Sequence, residues 1–545
     1  MRIGKQAGRL AGMMLVGLML TACDKGPDRT QVAATLQKDV EAYLAQMEGP
    51  VDQRSLSHGA VTVAPQQDAG YLVTIDGVKL TLSDTGYLDI GKVSYVLTPK
   101  DDKTYQADHL SMAQTIPFKT PDGQPAGQVT QTLKAFEGTW LKEASSFTKL
   151  DLQVADVAVD DPQSGGDLKM AGVAFNVDST DKGQGLWDQV GKLTISGLNA
   201  DDKGGGKVAI ASIDASSAAK GLKLIDYAAK MRALREAGNK QAASQQSEAA
   251  KQPADNQPAD NQAADNQNDA AGNAGTGTSS DAAADATADK ASGNAAPDNA
   301  MQDFIKALPG LIAASTVDLH VSGFTYQERE GGEALELGKA GISFAATGID
   351  QPKASLSFTL DHDGLVLHTP EAERPFAKAS LPASGALTVS LIDLPTADLA
   401  SVMADGAAAY ATADPAQIDA KTAVFMIQLQ QLLQQDGVKL RVEPSHLSSA
   451  AANLTADGDF VMKPAAIYGA TGALNVAITG IDDLLSLAQK EAEEKPEAMQ
   501  YVAVLQALLS YASRATGSNG KPIDNFKIDV PQNGMMTVNG KPLQF

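Results

Sequence analysis

The chain of 545 residues contains one cysteine, Cys23, two tryptophans and only 5% aromatic residues. A lone cysteine excludes an intramolecular disulfide, so folded parts must be held by burial and hydrogen bonding. Few aromatics, with much Ala, Gly, Asp, Ser and Thr, suit light, thin sheets better than the large core of an enzyme. Basic residues are in deficit: 44 Lys and Arg against 66 Asp and Glu give a formal net charge of −22. That field repels nucleic acid and anionic head groups, so no nucleic-acid partner is expected. No apolar run reaches the roughly 20 residues that a membrane-spanning helix needs. From Gly238 to Ala300 there is no Leu, Ile, Val, Met, Phe, Tyr or Trp. This stretch, with its repeat PADNQ PADNQ AADNQ at 253–267, has too little apolar surface to offset the entropy of ordering. It reads as a disordered low-complexity linker over 238–300.

What is present begins with an address. Arg2, Lys5 and Arg9 precede the apolar stretch Leu10–Leu20 and then small residues, the three-part form of a secretory signal over 1–22. Leu20-Thr21-Ala22-Cys23 resembles the lipobox of bacterial lipoproteins. The resemblance implies cleavage before Cys23, lipidation of its thiol, and acylation of the new amine. Losing the three signal-peptide cations takes the net charge from −22 to −25. Two or more acyl chains anchor a protein stably where one does not. The resemblance thus implies a periplasmic protein tethered through Cys23, with residues 23–30 as the tether. Asp24 fits the inner-membrane retention pattern of such lipoproteins, although inner and outer membrane both stay open.

Beyond the tether, Leu36, Val40, Tyr43, Leu44 and Met47 fall on one face of a helix over 31–47. The period then becomes two. YLVTIDGVKLTL at 71–82 and YLDIGKVSYVLTP at 87–99 alternate around a Ser-Asp-Thr-Gly turn, and further alternating runs occur at 150–159, 168–177, 190–198 and 207–213. A helix is expected at 217–236. The part after the linker repeats the scheme. It shows a helix at 301–314, strands at 317–326, 333–346, 354–360 and 364–368, and a pair near 376–380 and 386–392. Helix 416–435 follows, then strands at 438–443, 450–462 and 471–479, helices from 481 and at 497–514, and a final hairpin. VTIDGVKLTLSDTGYLDIGKVSYVL, LTISGLNADDKGGGKVAIASIDA and LHVSGFTYQEREGGEALELGKAGISFAATG share a loose pattern: a strand, a glycine two or three residues later, a polar Gly-containing turn and a returning strand that ends apolar. The fold expected is therefore β-rich α+β: extended, twisted antiparallel meanders with amphipathic helices on one face. An N-terminal domain over 31–237 and a C-terminal α+β domain over 301–545 flank the linker. LLQQDGVKLRVEPSHLS and the closing NGMMTVNGKPLQF are similar to the YdgA-like family of uncharacterised bacterial envelope proteins. That similarity implies an exported β-rich protein and brings no catalytic residues.

The search for chemistry returns fragments. GISFA at 341–345 lacks the last glycine of a nucleophile elbow and lies in a predicted strand. Ser146–Lys149 and Ser217–Lys220 match Ser-x-x-Lys without the Ser-Asp-Asn or Lys-Thr-Gly partners of penicillin-binding sites. GLWDQVGKL at 185–193 has the wrong spacing for a phosphate loop, and Leu193 replaces its magnesium-binding hydroxyl. His362 and His368 flank a predicted turn, where solvated residues are commoner than zinc ligands. NADDKGGG at 199–206 lacks the acidic spacing of a calcium loop. Trp140 and Trp187 are expected in cores. No catalytic residue, metal ligand or cofactor is expected, and Cys23 is the one site residue. A non-enzymatic envelope protein holding an apolar ligand or other proteins is the favoured expectation. A scaffold without a small-molecule ligand, and a hydrolase whose site is not legible, are the alternatives.

Overall fold

Period-two alternation carries most of the chain into one antiparallel sheet in the computed structural model. The structure describes residues 28–47, 56–81, 86–160, 167–201, 205–249, 298–329, 332–369, 372–411, 418–434, 437–518 and 520–543. Helix α1 (Arg29–Met47) comes first. Then β1 (Leu56–Ser57) and β2 (Val61–Pro65) lie end to end along β3 (Tyr71–Thr81). On the other side of β3 runs β4 (Tyr87–Pro99), whose far side is shared by β5 (Thr104–Ser111) and β6 (Thr115–Lys119). Both of these pair with β7 (Pro125–Leu141). From β7 a simple meander passes through β8 (Ser146–Asp160), β9 (Asp167–Gly183), β10 (Leu186–Asp201) and β11 (Lys207–Leu222).

After α2 (Leu224–Ala249) and α3 (Asp298–Ala307), β12 (Ala314–Gln327) pairs back onto β11. β13 (Ala334–Thr347) follows, and its far side holds β14 (Lys353–Asp363) and the short β15 (Val366–His368). Helix α4 (Pro375–Ser380) precedes β16 (Ser384–Pro395), which pairs with β14. Helices α5 (Thr396–Ala411) and α6 (Ile418–Leu433) separate β16 from β17 (Lys439–Ser448). The meander then runs through β18 (Asn453–Met462) and β19 (Ala470–Thr479). Helices α7 (Ile481–Glu494) and α8 (Met499–Tyr511) lead to the last layer: β20 (Ser513–Thr516), β21 (Pro522–Val530), β22 (Thr537–Val538) and β23 (Lys541–Pro542). β21 pairs with β19, while β20 and β22 take its outer side. The fold is β-rich α+β and antiparallel throughout.

The sheet does not stop at the low-complexity segment. β11 and β12 pair from Lys207 opposite Gln327 to Lys220 opposite Ala314. Ser216 donates to Asp318 across this seam at 3.2 Å, and the rings of Tyr227 and Phe304 meet at 5.8 Å. The expected separation into bodies at 31–237 and 301–545 is thus corrected to one shared ladder. Closure entropy grows only logarithmically with loop length, so a long insertion between paired strands costs little more than a short one. The expected linker is also too long at both ends, since α2 runs to Ala249 and α3 starts at Asp298. Residues 250–297 lie outside the described residues, as do the expected signal at 1–22, Cys23, and the tether up to residue 27.

Three local readings also change. Residues 217–222 are strand, not helix, because β12 pairs with β11 as far as Lys220 and β10 as far as Leu222. Residues 376–380 are the helix α4. β7 was not legible as a strand because three register shifts against β8 break its alternation.

Two cores lie at opposite ends of the sheet. In the first, Leu36, Val40 and Leu44 of α1 pack on Val73, Leu97 and Trp140. Trp140 is fully buried, with Tyr43 and Phe147 edge-on to it at 5.2 and 5.0 Å. In the second, Ile481, Leu505 and Leu508 from α7 and α8 cover Val476, Ile478 and Phe526.

Candidate functional site

Residues directly opposite one another in an antiparallel ladder project on the same face, so the registers show what each face carries. One row starts at Phe136 and crosses Leu152, Phe175 and Leu193. It continues through Ala215, Leu319 and Ile342 to Leu360 and Leu387. The next row runs Leu150, Val177, Gly191, Ser217, Val317, then Phe344, Phe358, Val389 and Val442. A third takes Val154, Val173, Ile195, Ile213 and Val321 before reaching Ala340, His362, Gly385 and Leu447. These rows form an apolar field that passes without a break over the seam between β11 and β12.

The recurring glycine extends the field along the strands. Gly197 and Gly323 sit at φ +59°, the left-handed region, inside β10 and β12. One such residue inverts the alternation of a strand, so that Leu198 returns to the face of Ile195 and Phe324 to that of Val321. A Cβ would lie 2.8 Å from the Ala171 methyl at Gly197 and 2.7 Å from the Ala211 methyl at Gly323. Both conformation and space therefore demand glycine. In β8 Asp156 takes φ +54°, and Val154 and Val157 on either side of it pack in one cluster with Met170 and Val173.

Helices cover this face at its two ends, and α2 packs on it at the strand ends of β10 and β11, where Leu224 and Ala228 cluster with Trp187 and Ala219. α1 lies over the N-terminal part, where Leu150 belongs to its core with Phe136 and Val177 packed alongside. α7 and α8 lie over the C-terminal part, where Ile478 and Ile528 belong to their core. Between them the field is bare. Phe175 is 37% exposed, Leu319 43%, Ile342 47% and Val317 51%, and Phe344, Phe358, Leu387 and Leu447 are exposed as well. From β9 to β17 the bare stretch spans seven strand spacings, roughly 34 Å at about 4.8 Å each. Contiguous apolar surface of this extent is uncommon on a soluble monomer.

A cavity is cut into each end of the bare stretch. One, of about 420 Å³, lies beside Tyr43 and Phe147 and is floored by Phe175, Val177, Leu193 and Val317. The other, of about 280 Å³, is lined by Leu360, Leu387, Leu447 and Leu454 with His362. The Nε2–H of His362 donates to the Pro382 carbonyl at 3.1 Å. Burial pushes the phenol of Tyr43, which borders the first cavity, up to about 12.

The opposite face is polar and internally paired. Thr194 donates to Asp214 at 2.8 Å and Lys192 pairs with the same carboxylate at 3.2 Å, which together hold it below its usual range. Lys339 pairs with Asp361 at 3.2 Å, and Asp318 accepts from the hydroxyls of Ser216 and Ser343.

The fragments singled out in the sequence fall elsewhere. Ser146 with Lys149, and Ser217 with Lys220, lie in strands, where residues three apart face opposite ways, so neither hydroxyl meets its lysine. Ser217 instead contributes to the floor of the larger cavity. His368 pairs with Glu373 at 3.4 Å and Glu336 at 3.7 Å, away from the Pro382 carbonyl that holds His362. Among the described residues no group of three or more His, Cys, Asp and Glu is placed to hold a metal ion. Trp140 sits in the first core and Trp187 packs against the Leu141–Leu222 cluster. The field itself could have been suspected from the apolar positions of successive strands. Which face lacked a cover could not, because that depends on where the helices land. Compared with protein-family models, curated proteins and solved structures, the chain matches none.

Proposed function

We propose that the protein is a lipid-anchored protein of the bacterial periplasm that holds lipid acyl chains on the bare face of its sheet. It acts by binding rather than by catalysis. The observation that carries this reading is the apolar field between the two helical covers, with a cavity at each end. The larger cavity is within the range of small-molecule sites. The rows present aliphatic and aromatic groups with almost no hydrogen-bonding partners. That favours hydrocarbon over a protein surface, which brings about one hydrogen bond per 100–200 Å². The 250–297 segment lacks large apolar side chains and is chemically unsuited to cover the field. The length of roughly 34 Å is comparable with a bilayer core of about 30 Å, two acyl chains end to end. The lipobox reading supplies the location: Cys23, acylated, would keep the field close to a membrane, with inner or outer left open.

Native mass spectrometry of the full-length protein, extracted gently from its own membranes, tests the proposal. Adducts with the masses of diacyl lipids are expected. A spectrum with no lipid, or with another protein in its place, would sink it and favour the scaffold reading.

A further inference from the structure

Taking the face as an acyl-chain site, we infer that it selects lipids with uncharged or zwitterionic head groups and discriminates against anionic ones. The reason is the charge behind the field. A single sheet is thin, and the polar face directly behind the bare rows carries Asp214, Asp318 and Asp361 on β11, β12 and β14. Two of these are neutralised, Asp214 by Lys192 and Asp361 by Lys339. Asp318, at the centre, is held by the hydroxyls of Ser216 and Ser343, which bring no charge.

The cation bordering the larger cavity, Lys192, is therefore already engaged by a carboxylate. In the smaller cavity the His362 ring spends its Nε2–H on the Pro382 carbonyl. An anionic head group over the middle rows would find paired cations and one uncompensated carboxylate across the sheet. The long-range field of an acidic chain adds to the same preference. An uncharged or zwitterionic head group meets no such penalty, because its net charge is zero. The chains of both lipid classes are alike, so selection rests on the head group alone.

The test uses the purified full-length protein, an apolar fluorophore seated on the face, and dioleoyl lipids that differ only in head group. Diacylglycerol and phosphatidylcholine should displace the fluorophore at concentrations about tenfold lower than phosphatidylglycerol or phosphatidic acid, the ratio of ~1.4 kcal/mol. The gap should shrink as salt shortens the Debye length from about 30 Å at 0.01 M to about 8 Å at 0.15 M. Asp318→Asn removes the charge while keeping an acceptor oxygen for one serine and offering the other an amide N–H that its hydroxyl can accept, so it should also narrow the gap. Anionic lipids displacing equally well or better would overturn the inference while leaving acyl-chain binding intact. So would a gap indifferent to both salt and Asp318→Asn. If no lipid displaces the fluorophore, the binding function itself fails and the inference with it.

Discussion

Ile342 and Val190 make a matched pair for asking which face of the sheet binds. Ile342 on β13 is 47% exposed between Leu319 and Leu360, in the middle of the apolar field. Val190 on β10 is 49% exposed but projects on the polar face, opposite Asp178 and Ala218. Both are β-branched, so changing either to Asn loses a similar strand preference, within about 1 kcal/mol. The two variants should melt alike. Their effects on binding should not be alike. If an acyl chain buries about eight methylenes on the field, it gains ~6 kcal/mol at ~0.8 kcal/mol each. Ile342→Asn removes contact worth about two methylenes, ~1.6 kcal/mol, and puts an amide under the chain. The unpaired amide costs a further ~1–3 kcal/mol. Together these weaken binding by roughly 100-fold or more. Val190→Asn should leave it unchanged. The assay is titration of each purified protein with a fluorescent fatty-acyl probe, with circular dichroism melts as the control. Equal binding by Ile342→Asn and wild type, at equal melting temperature, would refute the assignment of the face. A loss with Val190→Asn as large as with Ile342→Asn would do the same.

Four further outcomes follow from the structure and the sequence. Cys23→Ser should leave an uncleaved precursor that no longer labels with a fatty-acid analogue; normal maturation and labelling would exclude the lipoprotein reading. Halves 24–237 and 301–545, expressed apart, should aggregate and recover when refolded together, because separation bares β11 and β12 as long unpaired edges; two soluble, cooperative melts would show independent units. Arg514→Met should cost about 1–3 kcal/mol in denaturant unfolding, because Asp524, 1% exposed, would lose the half-exposed guanidinium at 2.8 Å; adding Asp524→Asn should restore part of the loss, and an unchanged midpoint would contradict a stabilising pair. Burial raises the Tyr43 phenol to about 12 from an ordinary 10.0 and pushes Tyr95 up as well, so these groups contribute stability that is complete below pH 10 and lost as pH rises toward 12; since exposed tyrosines ionise near pH 10 anyway, the refuting result is phenolate absorbance at pH 10, with the fold intact, that Tyr43→Phe or Tyr95→Phe removes.

Much of the architecture was legible because strand periodicity is a local property. The alternation in 71–82, 87–99, 317–326 and 471–479 follows from side chains pointing to opposite sides of a pleat. The glycine of VTIDGVKL, LTISGLNA and LHVSGFTY was visible as a repeat, and its φ near +60° at positions 77, 197 and 323 explains why the residue must be glycine. The helical stripe Leu36, Val40, Leu44 became the cover of the first core for the same local reason.

By itself, the sequence determined that the chain is β-rich and acidic, cannot form an intramolecular disulfide, and has a stretch unable to build a core. Tertiary structure alone decided whether the two halves were separate. Strand pairing depends on which edges meet, and β11 found β12 across more than ninety intervening residues. It also decided that residues 217–222, with Leu222 feeding an apparent helical stripe, join a strand paired with β10 up to Leu222 and with β12 up to Lys220. And it decided that the field stays bare from Phe175 to Leu447. An apolar row reads the same in sequence whether a helix lies on it or not, and α1, α7 and α8 settled on its two ends.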